Sequence, residues 1–217
     1  MERSKINLLK GLKLLLVIQI ISITYSVLAK VVNFGEWNDW LQLMLNVGVL
    51  YCLFKLRREQ KFYTVAAAIL GINLILTALQ AIFYSHTVMQ WAYDYFGDGM
   101  FQILYWYVRV QSVVLPLCAF GAMIFEYIAH RCLVKQSSRK LSKCWLWLII
   151  ATLVLFAVMA ALTLVLIWAL GNKTVNIPLY QLIQPYLILP GLVLRVLYVV
   201  YLFQTERVLR MDEVSAQ

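Results

Sequence analysis

Apolar residues in this chain run in six long blocks separated by short polar connections, without the strict two-residue alternation of a half-buried strand. A helix of roughly 17 to 25 apolar residues crosses a hydrocarbon core about 30 Å thick. Blocks of that order are drawn at about 12–32, 40–56, 62–85, 100–130, 144–170 and 178–204. The second, WLQLMLNVGVLYCLFKL, is the shortest and carries Gln42 and Asn46. No Pro/Gly/Ser-rich linker or low-complexity stretch divides the chain. The pattern therefore predicts an all-α integral membrane protein, with six transmembrane helices arranged as three hairpins in one bundle over residues 1–217.

The connections alternate in charge. Arg3, Lys5, Lys10 and Lys13 precede helix 1, Lys55, Arg57, Arg58 and Lys61 follow helix 2, and Arg131, Lys135, Arg139, Lys140 and Lys143 follow helix 4. The intervening connections hold Glu36 and Asp39, then Asp94 and Asp98, and last only Lys173. The positive-inside rule puts the basic set, and with it both termini, in the cytoplasm of a cell-membrane protein. The basic start, the apolar run from Leu14 and the small Ala29 also resemble a cleavable signal. Because that run continues into Val31 and Val32, helix 1 reads as a retained anchor.

Composition agrees with this picture. The chain is 63% hydrophobic and 13% charged, with a mean hydropathy of +0.79, far from the soluble range. Its net charge of +9 follows from topology and from attraction to anionic membrane lipids, about 1 kcal/mol per basic residue near the surface. A nucleic-acid partner is excluded, since the basic residues are split among short connections with no soluble module to carry them. Cys52, Cys118, Cys132 and Cys144 lie in helices or on the predicted cytoplasmic side without CxxC spacing, so neither a disulfide nor a metal site is expected. Asn172-Lys173-Thr174 matches the glycosylation pattern, but its connection is too short to leave the membrane surface.

Polar residues inside the blocks are the candidates for chemistry. At helical spacing Gln102, Tyr105, Arg109, Ser112, Pro116, Ala119, Met123 and Glu126 share a face of helix 4, and Gln181, Gln184, Ile188, Gly191, Arg195 and Tyr198 share one of helix 6. Helix 3 adds Asn73, Thr77, Gln80 and Tyr84, and helix 1 adds Gln19, Ser22 and Ser26. Helix 5 is almost free of such groups and is expected to face lipid. The two arginines differ in depth, Arg109 roughly 14 Å below the outer end of helix 4 and Arg195 roughly 14 Å above the inner end of helix 6. Arg195 is expected to pair with Glu126, a structural ion pair joining helices 4 and 6. Arg109 has no acid in the outer half of any span. It either snorkels outward toward headgroups, Asp94 and Asp98, or holds an anion in an outward-facing cavity. Gln80, Gln102, Tyr105, Gln181 and Gln184 are the side chains placed to orient such a ligand.

There is no HExxH, GxSxG, Walker sequence or pair of intramembrane aspartates, and His86 and His130 fall at opposite faces. The expectation is a protein without enzymatic activity and without a cofactor. In size, helix count and N-terminal side it resembles the substrate-binding membrane subunits of bacterial vitamin uptake systems. Helix 1 lacks the alanine-rich face by which those dock their partner, so the resemblance extends to architecture alone. Two functional readings remain. One binds or transports a small amphipathic or anionic molecule through Arg109; the other is an accessory, regulatory or assembly protein contacting a membrane-protein partner.

Overall fold

In a computed structural model, each apolar block corresponds to one helix, as expected where a backbone in lipid must satisfy its own amides and carbonyls; the first block runs one residue past its helix, and residues 84–85 of the third lie outside the described residues. The helices are α1 (Glu2–Val31), α2 (Trp37–Leu56), α3 (Lys61–Phe83), α4 (Asp98–Val134), α5 (Arg139–Gly171) and α6 (Ile177–Val214). The structure describes the backbone of residues 2–32, 37–83, 94–95, 97–171 and 177–214. Within these it describes the side chains outside 2–6, 30–31, 37–39, 80–81, 83, 98, 100–112, 163–164, 166–171, 177–188 and 213–214.

Four stretches among the described residues are long and apolar enough to cross a membrane: Asn7–Ala29, Lys61–Leu79, Val113–Val134 and Arg139–Leu162, with Trp40–Leu56 a shorter apolar helix. Several helices outrun the apolar blocks. α1 begins at Glu2 and α6 continues to Val214, since a helix stops at backbone breakers or caps and not where charge begins. Beyond the apolar block α6 is braced by an i,i+4 pair, Glu206 with Arg210. Ser138 caps α5, its hydroxyl accepting from the Leu141 amide at 3.3 Å.

The chain divides into two compact units, Met1–Ala129 and His130–Gln217. In the first, α1 packs on α2 and α2 on α3. The seam is narrow: Leu8, Leu12 and Leu15 from α1, Val49, Cys52, Leu53 and Leu56 from α2, and Tyr63, Ala66, Ala67, Leu70 and Leu74 from α3 are buried. Glycine allows the close approach of α1 and α2, because a Cβ at Gly48 would stand 3.1 Å from Ile18 Cδ1. The opposite faces expose Val17, Ile20 and Leu28, then Met44 and Val47, then Ile72, Ile75 and Ile82. Met44 is 71% and Ile75 63% exposed, and a soluble monomer does not leave continuous apolar faces of this extent in water. Such helices are those of a membrane protein, long and apolar enough to cross a bilayer.

Several described polar side chains within the spans bond to the backbone of their own helix. Thr24, Ser26, Thr77 and Thr152 donate to the carbonyls of Ile20, Ser22, Asn73 and Leu148, at 2.7 to 2.9 Å. Asn73 reaches farther, its Nδ2 donating to the Leu115 carbonyl of α4 at 2.9 Å, one residue before Pro116. Phe62 stacks on Phe125 at 6.5 Å and supports the same α3–α4 contact. Asn73→Leu fills the site but removes the bond, and Leu115 keeps its place in its own helix. A loss of about 1 kcal/mol is expected, read as a lower unfolding temperature in mild detergent. A variant as stable as the parent would show that the bond contributes nothing.

Candidate functional site

The first unit carries a concave, charged surface where α1 meets the α2–α3 turn. Gly11 sits at the closest point: a Cβ there would stand 2.9 Å from Leu56 Cδ2 and 3.9 Å from Lys55 Cβ, so a larger residue at this turn of α1 would have to displace the end of the Leu56 side chain. Leu56 is fully buried beneath the contact, and its carbonyl accepts the Glu59 amide at 3.0 Å, which tightens the turn. The result is an open cleft of 610 Å³ lined by Asn7, Lys10, Phe54, Lys55, Arg57, Arg58 and Glu59. Aromatic faces support two of its cations: Lys55 Nζ lies 4.6 Å from the Tyr51 ring centroid, and the Arg57 guanidinium 5.1 Å from that of Phe54.

The second unit contains a closed polar and aromatic cluster. Trp145 of α5 is fully buried, and its indole N–H donates to Thr205 Oγ1 of α6 at 3.0 Å. The Thr205 hydroxyl donates in turn to the Tyr201 carbonyl at 2.8 Å. His130, in the last turns of α4, stacks on Trp145 with centroids 4.8 Å apart and tilts against Tyr198 at 6.1 Å. Nearby on α6, Glu206 is buried and paired with Arg210. The Trp145 indole, the Thr205 hydroxyl and the Tyr201 carbonyl satisfy one another, a chain of bonds that ties α5 to α6.

The sequence-derived ligand set lies outside the described side chains. Arg109, Gln102 and Tyr105 fall on helical backbone of α4, Gln80 on α3, and Gln181 and Gln184 on α6. Of the expected ion pair, Glu126 is buried in the first unit and Arg195 exposed in the second. Glu126 lies within electrostatic range of the buried Cys52. Among the described residues no group of three His, Cys, Asp or Glu is placed to hold a metal ion.

Two features escaped the sequence reading. His130 continues the α4 stripe one turn beyond Glu126, a spacing that could have included it. The buried Thr205 and Glu206 follow the apolar block that ended at 204, so a hydropathy boundary hid them. Fold and surfaces point to an α-helical membrane protein, with a cluster of cations at the junction of α1 and the α2–α3 turn. No protein-family model, curated protein or solved structure matches the chain.

Proposed function

We propose that this chain is a non-enzymatic, non-transporting accessory or regulatory membrane protein, acting through contacts with a partner complex. The observation that carries this reading is the use of the intraspan hydroxyls and of Asn73. Thr24, Ser26, Thr77, Thr152 and Asn73 each donate to a backbone carbonyl of the protein itself, which commits those donors to the fold and not to a passing solute. The reading puts the protein in the cell membrane as three hairpins with both termini cytoplasmic, supported by the basic connections at 55–61 and 131–143.

A second reading rests on Arg109, which has no acid in the outer half of any apolar block to answer it. There Arg109 holds a small anionic or amphipathic molecule, oriented by Gln80, Gln102, Tyr105, Gln181 and Gln184. Arg109→Ala separates the two. Under the accessory reading, mass spectrometry finds the same small molecules on parent and variant. The variant loses about 1 kcal/mol of interhelical bonding, a fall of roughly 2 to 4 °C in unfolding temperature. A molecule that co-purifies with the parent and leaves with the Arg109 side chain, in a protein that stays folded, overturns the accessory reading in favour of the binding one.

A further inference from the structure

We propose that the cleft at Lys10, Lys55, Arg57 and Arg58 is a binding site for the headgroup of an anionic phospholipid bearing more than one phosphate. The positive-inside rule accounts for basic residues in a connection but asks nothing of where they point. Here Lys10 comes from α1, while Lys55, Arg57 and Arg58 come from the end of α2 and the turn after it, some 45 residues farther along the chain. All four line one concavity, and the close approach of α1 to Leu56 at Gly11 holds the two sides together. Four cations face a single carboxylate, Glu59, leaving an excess of three positive charges. One phosphate cannot balance that excess, and a headgroup with two or more approaches it.

Depth selects lipid over a soluble anion. Lys10 stands near the start of the apolar stretch Asn7–Ala29, and Lys55 is in the last turn of the apolar helix Trp40–Leu56. The cleft therefore lies where hydrocarbon gives way to headgroups, the level at which basic pockets between membrane helices meet lipid phosphates. Its lining is also mixed. Phe54 offers an apolar wall for the glycerol and upper acyl region, Asn7 a neutral hydrogen-bonding group, and Arg57 and Arg58 planar forks for phosphate oxygens. The volume of 610 Å³ falls within the roughly 300 to 1,000 Å³ of small-molecule sites. The inference is independent of whether the protein transports, so its failure leaves the accessory reading standing, and the reverse.

The test uses the full chain, delipidated in a non-ionic detergent and titrated with diphosphatidylglycerol, phosphatidylglycerol or phosphatidylcholine, with bound lipids counted by native mass spectrometry. The two-phosphate lipid is expected to bind at least about tenfold more tightly than phosphatidylcholine, with the one-phosphate lipid between them. The triple variant Lys55→Gln/Arg57→Gln/Arg58→Gln, confined to exposed positions, should weaken that binding at least about tenfold while keeping its unfolding temperature. Lys135→Gln/Arg139→Gln/Lys140→Gln removes the same charge from another exposed connection and should leave binding within about twofold of the parent. Equal losses in both triple variants would reduce the effect to general surface charge and overturn the site. Equal affinity for the three lipids would overturn it as well. Displacement of the lipid by millimolar pyrophosphate would reassign the cleft to a soluble anion and overturn the lipid assignment.

Discussion

Trp145→Ala is expected to lower the stability of the purified protein by roughly 3 kcal/mol, a fall of roughly 6 to 12 °C in the helical melting transition followed by circular dichroism. Trp145 is fully buried and its ring meets three others: His130 nearly parallel at 4.8 Å, and Tyr198 and Tyr201 edge-on, each at 5.9 Å. Each such contact contributes about 0.5 to 1.5 kcal/mol beyond area, and the cavity left by an indole cannot close while three rings remain around it. The estimate sits at the lower end of the range for large aromatic truncations because lipid tails are as apolar as the side chain's present surroundings. Trp145→Phe divides the effect. It keeps a ring in the stack, removes the donor to Thr205, whose hydroxyl still donates to the Tyr201 carbonyl, and leaves a small cavity where the indole was larger, so about 1 to 2 kcal/mol is expected. If the phenylalanine variant melts as low as the alanine one, the hydrogen bond and not the ring packing holds α5 to α6.

That cluster shows where sequence reasoning ends. Trp145 invites assignment as an interfacial anchor, because tryptophan near the end of a membrane helix usually has that role. Trp147, two residues on, fits that expectation at 69% exposure, while Trp145 is fully buried. Helical phase alone cannot tell which indole turns inward; that depends on α6 continuing past 204 to present Thr205 opposite it. The apolar blocks were legible because lipid leaves a chain few alternatives to helix. Charge at the helix ends was legible as a sum but not as a shape. Nothing in the spacing of Lys10 and Lys55 says that they share a cleft, since that follows from Gly11 and the depth to which Leu56 packs. Asn73 was assigned to the polar face of helix 3, and the structure adds the partner, a backbone carbonyl beside Pro116. The Arg109 constellation stays a reading of residues, because its side chains lie outside those described.

The assignment of exposed apolar faces to lipid carries the second large expectation, in which a surface substitution behaves like a core one. Ile72 lies near the middle of α3 and is 53% exposed, next to the buried Asn73. On a protein in water, Ile72→Arg would touch nothing and change stability by about 0.5 kcal/mol at most. In a bilayer the guanidinium would stand near the midplane, where insertion costs about 2.5 to 3.5 kcal/mol, and a largely misinserted or degraded chain is expected. Thr64→Arg supplies the control. It too is exposed on α3, but eight residues nearer the helix end, about 12 Å shallower, so its side chain can snorkel to the headgroups at small cost. Protease protection of the chain in membranes, compared for the two variants, reads the difference directly. Equal protection would mean that the exposed face of α3 meets protein or water, and the helices would then have to bury those faces against a partner. Loss at Ile72 alone places lipid there and leaves the buried seam of α1, α2 and α3, with the α3–α4 contacts at Asn73 and Phe62, to hold the first unit together.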